Sequence, residues 1–255
     1  MLSSVEILIL AAIQGISEFL PVSSAAHLFL VAHYSVFNIQ SLLIDICLHL
    51  GSLLAIIAYF IKDLVSLVKN KDFLIKILLA TMPIVPIGYL FYQTGLINSL
   101  RNIEVIAWMS LIFAILLYFS DKTKVSEKLG ANFSIKSAII IGLFQVISLI
   151  PGVSRSGITI TAGRILGFDR FDSTKISFFL AIPALSAASI LGIYNVYKEG
   201  SPELNFIAII AVIFSFIFSY MTIALFLNFV KKFSLSIFVI YRVILSLILL
   251  TIVYL

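Results

Sequence analysis

Charge is what this sequence has least of. Only 11% of its 255 residues are charged, against roughly 25% in an average soluble domain. Hydrophobic residues make up 62%, and the mean hydropathy is +1.18. A soluble fold of this length needs far more polar surface than that. The shortage excludes a soluble enzyme, a nucleic-acid-binding domain and a disordered chain. The net charge of +5 would suggest nucleic acid in a soluble protein; here it marks the cytoplasmic loops of a membrane protein. Cysteine is almost absent. Cys47 stands alone, so there is no internal disulfide and no cysteine cluster for a metal. No Lys or Arg precedes Lys62 and no small-residue cleavage site follows the first apolar run. That run is therefore expected to belong to the fold rather than to a signal peptide.

What is present is apolar run after apolar run. A spanning helix needs about 20 apolar residues, so the chain holds about six to eight crossings and no separate soluble domain. We read residues 1–255 as one all-α polytopic membrane domain. Six segments read as full crossings: roughly Ser41–Ile61, Phe73–Tyr92, Ile103–Phe119, Ser173–Tyr197, Leu204–Phe229 and Leu235–Leu255. Charged or turn-forming breaks separate them, among them Lys69-Asn70-Lys71-Asp72, Asp121-Lys122-Thr123-Lys124 and Lys198-Glu199-Gly200-Ser201-Pro202.

Two further apolar segments are interrupted. Val5–His33 contains Glu18, Pro21, Ser23, Ser24 and His27; Ser137–Gly167 contains Pro151-Gly152, Ser154, Arg155, Ser156 and Gly157. Each divides into arms of about 12–16 residues, or about 18–24 Å of helix, too short to span comfortably. Short arms around a polar, proline-containing break describe a re-entrant hairpin, whose irregular backbone must be covered by protein or face a watery cavity. The two segments also align at an offset of 131: Gln14 with Gln145, Ser17 with Ser148, Val22 with Val153, Ser23 with Ser154 and Ser24 with Arg155. Three crossings follow each hairpin. The chain therefore reads as two internal repeats, about 1–119 and 135–255, with the second inserted the other way up.

Charge distribution tests that topology. The loops within 62–76, 122–136, 164–175 and 231–232 carry thirteen of the 17 Lys and Arg and fall on one side; only Arg101 and Lys198 fall in loops of the other. Such a bias makes the first side cytoplasmic and places both termini outside.

An ionisable residue at the bilayer centre costs at least about 2.5–3.5 kcal/mol on insertion scales, so it needs a partner or a role. Glu18, His27 and Arg155 sit at the two breaks, where inverted repeats bring their hairpin tips together. A buried Glu18–Arg155 ion pair could serve only to hold the hairpins, but the hydroxyls of Ser23, Ser24, Ser154, Ser156 and Thr159 exceed what one pair needs. Pro and Ser at the start of each second arm are typical of helix N-termini, which carry free N–H groups and partial positive charge. Two such ends beside an arginine fork make a site for phosphate or pyrophosphate. Ser24 and His27, at i and i+3, share a helix face. His27 could deprotonate Ser24 or a water, and Glu18 could orient His27 or hold a divalent cation. Asp45 and His49 are expected as outer support of the site, and the Pro83/Pro86 pair as a kink. A transporter or lipid flippase with the same midplane architecture is the competing class; a carrier needs no nucleophile.

The run from Gln14 to Leu28, Gln-Gly-Ile-Ser-Glu-Phe-Leu-Pro-Val-Ser-Ser-Ala-Ala-His-Leu, resembles the first signature of the bacterial undecaprenyl-diphosphate phosphatases of the bacitracin-resistance (BacA/UppP) type. Pro151-Gly152-Val153-Ser154-Arg155-Ser156-Gly157-Ile158-Thr159 resembles the second. The resemblance extends over essentially the whole chain. It implies hydrolysis of an isoprenyl diphosphate to the monophosphate at the outer face of the plasma membrane, recycling a lipid carrier for cell-wall polymers. It also implies that Glu18, His27 and Arg155 are essential, that Ser24 matches the family's proposed nucleophile, with water as the alternative, and that Ser23, Ser154, Ser156 and Thr159 contact phosphate. Gln14 stands where many members have Glu. One carboxylate, Glu18, is thus left for a Mg²⁺ or Ca²⁺ cofactor, with Gln14 as a weaker ligand. The expected partners are the lipid substrate and membrane lipid, with no nucleic acid; monomer and homodimer both stay open.

Overall fold

The computed structural model describes residues 4–34, 42–69, 71–198 and 206–255. Within them the chain is helical: α1 (Ser4–Ser17), α2 (Ser24–Tyr34), α3 (Leu42–Tyr59), α4 (Ile61–Lys69), α5 (Lys71–Thr81), α6 (Ile84–Gln93), α7 (Leu96–Leu100), α8 (Ile103–Asp121), α9 (Leu129–Asn132), α10 (Ile135–Ile147), α11 (Arg155–Ile165), α12 (Arg170–Lys198), α13 (Phe206–Val230) and α14 (Ser236–Tyr254). Helix is what an apolar chain must form in lipid, because no water is there to satisfy backbone N–H and C=O groups.

Among the described residues five stretches are long and apolar enough to cross a membrane: Lys71–Gln93, Ile103–Asp121, Arg170–Tyr194, Phe206–Val230 and Ser236–Tyr254. The sixth expected crossing, Ser41–Ile61, is α3, whose 18 residues make about 27 Å of helix, slightly under the bilayer core. Ser41 and the break at 199–202 lie outside the described residues, as does the His33 side chain. The second crossing is interrupted between α5 and α6 at Met82-Pro83. Pro83 and Pro86 lack the N–H that a continuous helix needs, so the expected kink is present.

The re-entrant arms are short. The 14 residues of α1 and 13 of α10 give about 20 Å, and the 11 each of α2 and α11 about 17 Å. Both ends of the α10–α11 hairpin lie together: the backbone N–H groups of Ser126 and Glu127 donate to Gly167 O at 3.0 and 3.1 Å. The outer ends of α1 and α2 meet as well, with Ile7, Leu10 and Ala11 packed among Leu28, Val31, Ile44 and Ala208.

The two hairpins open at opposite ends of the bundle. At the basic end, Asp121 closes α8, accepts from Arg170 Nε at 2.6 Å and Nη2 at 3.0 Å, and accepts from Leu235 N at 3.1 Å. Arg164 donates to the carbonyls of Asp121, Thr123 and Phe168. Lys175 pairs with Asp63 at 2.8 Å. All four loop groups that carry the thirteen basic residues therefore converge here. At the far end, Tyr254 of α14 donates to Glu104 at 2.5 Å and accepts from Trp108. The first turn of α1 and the last of α14 thus share the end with few basic residues.

Packing repeats under exchange of the halves. α1 lies on α13 as α10 lies on α5, α3 on α13 as α12 on α5, while α3–α12 and α8–α14 pair across the pseudo-axis. Gly15 permits the first contact, since a Cβ there would come within 2.7 Å of Phe218 Cβ; Gly142 permits the equivalent approach of α10 to the Ala80 backbone. Hydroxyls join α3 to α13 without an aqueous gap: Ser52 lies 3.2 Å from Ser215 and 2.9 Å from Ser219, the polar contacts expected between helices in lipid.

Candidate active site

The hairpin loops meet in the interior. Helix α1 stops because Pro21 cannot donate an N–H to it, and Glu18 N makes its closing bond to Gln14 O at 2.9 Å. The second loop turns at Gly152, with φ +93°, beside the Ile106 backbone. Among the described residues two non-glycines have positive φ, Ser23 at +77° and Ser154 at +72°. They are the residues matched by the 131-residue offset, so the repeat extends to a strained torsion at the same point of each loop. Such conformations cost about 1–3 kcal/mol each and gather at functional sites. Here each sets the start of a half-helix. Ser154 caps α11, its Oγ accepting from Gly157 N at 3.1 Å.

Glu18 is the junction of the site. It is 7% exposed. Its Oε1 accepts from Arg155 Nη2 at 2.7 Å, and its Oε2 accepts from Ser24 Oγ at 2.7 Å and Gln14 Nε2 at 3.1 Å. Arg155 also donates from Nη1 to Ser177 O at 3.2 Å, which fixes the guanidinium to α12. One carboxylate thus orients an arginine from the other repeat and a serine at the start of α2. A hydroxyl held against a carboxylate that is itself held by a third group is a geometry that can serve nucleophilic attack.

His27 is placed differently from the sequence expectation. Its Nδ1 lies 2.6 Å from Ser23 O and its Nε2 lies 2.5 Å from Tyr241 OH. A carbonyl only accepts, so Nδ1 carries the proton, and in the neutral form of the ring Nε2 is free to accept from Tyr241. Sharing a helix face does not join His27 to Ser24, because the Ser23 turn directs its carbonyl at the ring and Ser24 is taken by Glu18. Tyr241 also stacks on His27, with centroids 5.7 Å apart.

The remaining candidates divide. Ser156 Oγ donates to Leu20 O at 2.7 Å and ties one hairpin to the other. Thr159, fully buried, lies 2.8 Å from Ser177 Oγ and holds α11 to α12. These two hydroxyls, expected at phosphate, are engaged within the protein. Ser23 contributes its carbonyl and its turn. Asp45 and His49 line a separate cavity of about 250 Å³ with Tyr92, Arg101 and Ser189, and the His49 ring is within electrostatic reach of Glu18. Sequence reasoning missed Tyr241, Arg242 and Ser177. Arg242 carried a usable signal, since an arginine inside a continuous apolar helix is itself unusual.

An apolar cavity of about 420 Å³ adjoins His27 and Tyr241, lined also by Ala12, Ile13, Ile16, Leu20, Ile237 and Phe238. It runs from His27 and Tyr241 to residues at the lipid-facing surface: Ile16 is 45% exposed and Ile237 57%.

Fold and site together define a polytopic membrane protein with an intramembrane polar centre, built where two broken helices meet and bordered by an apolar groove. Comparison with known proteins gives the same class a family. A family model described as bacitracin resistance protein BacA matches residues 7–248. The undecaprenyl-diphosphatase of Pelagibacter ubique (strain HTCC1062) is 52% identical over 251 residues, 98% of each chain. Those of Dinoroseobacter shibae (strain DSM 16493 / NCIMB 14021 / DFL 12) and Jannaschia sp. (strain CCS1) are 38% and 36% identical, over 97% and 96% of this chain and 98% and 97% of theirs. The chain belongs to the BacA family.

Proposed function

We propose that this protein hydrolyses undecaprenyl diphosphate to undecaprenyl phosphate and phosphate, regenerating a lipid carrier for cell-wall synthesis. The observation that carries the reading is the junction at Glu18, which joins Ser24 of one hairpin to Arg155 of the other. Ser24 Oγ attacks the terminal phosphorus, its proton passes to Glu18, and the bond to the bridging oxygen breaks, releasing undecaprenyl phosphate. Water then cleaves the phosphoserine and restores Ser24. Arg155 and the first N–H groups of α11 stabilise the charge on the transferred phosphoryl group. His27 and Tyr241 form a bonded pair at the mouth of the apolar cavity, where the prenyl tail lies and the leaving oxygen needs a proton.

A divalent cation suits this site only as a shared ligand. Among the described residues no three His, Cys, Asp or Glu side chains gather as a cage. Gln14 Oε1, however, is buried without a partner, and it is a hard oxygen donor beside a carboxylate. Gln14 and Glu18 would hold Mg²⁺ or Ca²⁺ together with substrate oxygens, and the ion would supply neutralisation of phosphate charge. The bias of basic loops supports a plasma-membrane protein with its basic end in the cytoplasm and both termini and the chemistry facing outward.

The test is release of phosphate from a prenyl diphosphate by purified protein. Ser24→Ala, Glu18→Ala and Arg155→Ala should each remove nearly all turnover, and rapid quenching should show phosphate on Ser24. Full activity in both the Glu18 and Arg155 variants would overturn the site. Activity in Ser24→Ala would shift the attack to water.

A further inference from the structure

Arg242 is a largest-class fully buried side chain, 0% exposed, in the middle of α14. None of the ion pairs among the described residues includes it. Its Nη2 donates to Gly152 O at 2.8 Å and Val153 O at 3.1 Å, and its Nε approaches Ser110 Oγ at 3.4 Å. Its Nη1 has no partner. That nitrogen points at the start of α11: a Cβ on Gly157 would lie 3.1 Å from it and 3.2 Å from Ser154 Oγ. An unbalanced guanidinium therefore stands against a helix N-terminus, whose partial charge has the same sign. Burial of an uncompensated charge is expensive. Here the cost falls in a turn that is already strained at Ser154.

The charges of the site are unequal in consequence. Arg155 is neutralised by Glu18 at 2.7 Å; Arg242 has no counter-ion among the described residues. What would balance it is an anion at the first turn of α11, and the attraction grows with the charge of that anion in a medium of low dielectric. Its neighbour Tyr241 bonds His27 of the other hairpin at 2.5 Å, so consecutive residues of α14 reach both loops.

We propose that Arg242 is a positioning and specificity-determining residue: it clamps the Gly152–Val153 turn that starts α11, and its uncompensated charge makes the site prefer a diphosphate over a monophosphate. The inference rests on the phosphatase reading above and deepens it. Preference for the more highly charged anion would let the monophosphate product leave while substrate competes for the site.

The experiment uses the full chain in detergent, with Arg242→Lys and Arg242→Met. Lys keeps the charge and loses the two-carbonyl clamp; Met loses both. KM and kcat are measured with a prenyl diphosphate, inhibition with the prenyl monophosphate, and thermal stabilisation with inorganic pyrophosphate against phosphate. Arg242→Met should raise KM about ten-fold or more, the effect of one lost charge-assisted contact, and should erase the difference between the two inorganic anions. Arg242→Lys should retain that difference and a near-normal KM while kcat falls. Wild-type KM and wild-type anion preference in Arg242→Met would overturn the proposal. So would equal loss of preference in a folded Arg242→Lys, which alone decides the matter if the Met variant does not fold. The stabilisation assay needs no turnover. Wild-type protein that prefers pyrophosphate but releases no phosphate from the prenyl substrate would defeat the functional reading and leave the anion preference standing.

Discussion

Replacing Glu18 with Gln keeps the shape of the junction and removes its charge. The native carboxylate accepts three bonds, from Arg155 Nη2, Ser24 Oγ and Gln14 Nε2, at 2.7, 2.7 and 3.1 Å. A carboxamide has one accepting oxygen and one donating nitrogen. If its oxygen faces Arg155, the nitrogen meets Gln14 Nε2 donor to donor, and Ser24 must turn its hydroxyl to accept. If it is flipped, Arg155 loses its only acidic partner among the described residues. Either way at least one buried donor is left unsatisfied, at about 1–3 kcal/mol of stability. The chemistry loses more. A positioned general base contributes about a hundred-fold to ten-thousand-fold, and among the described residues no other carboxylate is bonded to Ser24. Glu18→Gln should therefore lower kcat by about a hundred-fold or more, while unfolding only slightly earlier. Prenyl diphosphate turnover and a detergent thermal-shift assay measure the two effects. The double variant Glu18→Gln/Arg155→Met should be more stable than the sum of its single losses, because removing both partners leaves no stranded charge. Turnover by Glu18→Gln within about ten-fold of wild type, with Ser24→Ala inactive, would show that another group takes the serine proton and would refute the assignment of Glu18 as base.

Three further substitutions probe the surroundings. Tyr241→Phe deletes the hydroxyl that bonds His27 and should lower kcat roughly two- to ten-fold, as one neutral hydrogen bond allows; unchanged turnover would detach Tyr241 from the chemistry. Gly157→Ala places a methyl 3.1 Å from Arg242 Nη1 and 3.2 Å from Ser154 Cβ, and should destabilise by about 1–3 kcal/mol, measured as a lower Tm with weakened pyrophosphate stabilisation. Asp121→Asn at the basic end removes the charge that meets Arg170, whose side chain is 34% exposed. It should cost roughly 1–3 kcal/mol of stability and leave KM for prenyl diphosphate unchanged.

Much of this arrangement is legible in the sequence. The 131-residue offset places Ser23 and Ser154 together, and the structure gives both the same left-handed backbone. The charge bias separates the bundle ends, and the Asp121 node gathers the loops it joins. Glu18 and Arg155 stand out as ionisable residues in apolar segments, and they pair. What escaped was partnership across long separations. Spacing on α2 shows that Ser24 and His27 share a face, but not that a turn at Ser23 gives His27 its own carbonyl. Tyr241 and Arg242 lie in α14, an apolar run with no proline break; Arg242 stands out there as a lone charge, but nothing local joins it to either hairpin. Their part is set by how α14 packs over both loops, which no local pattern encodes. Ser156 and Thr159 have the composition of phosphate ligands, yet burial turns their hydroxyls toward Leu20 and Ser177.

The short helix α11 is fastened at both extremities. Arg155 at its first turn is bound to Glu18 and Ser177, and Arg164 in its last turn holds three carbonyls at the basic end. Rocking this arm so that the centre opened first to one leaflet and then to the other would rupture both moorings in every cycle. The protein is thus built as a fixed anvil rather than a revolving door. On the phosphatase reading proposed above, it is the lipid headgroup that would travel to a stationary centre and leave one phosphate lighter, so the tempo of the reaction would belong in part to the fluidity of the bilayer.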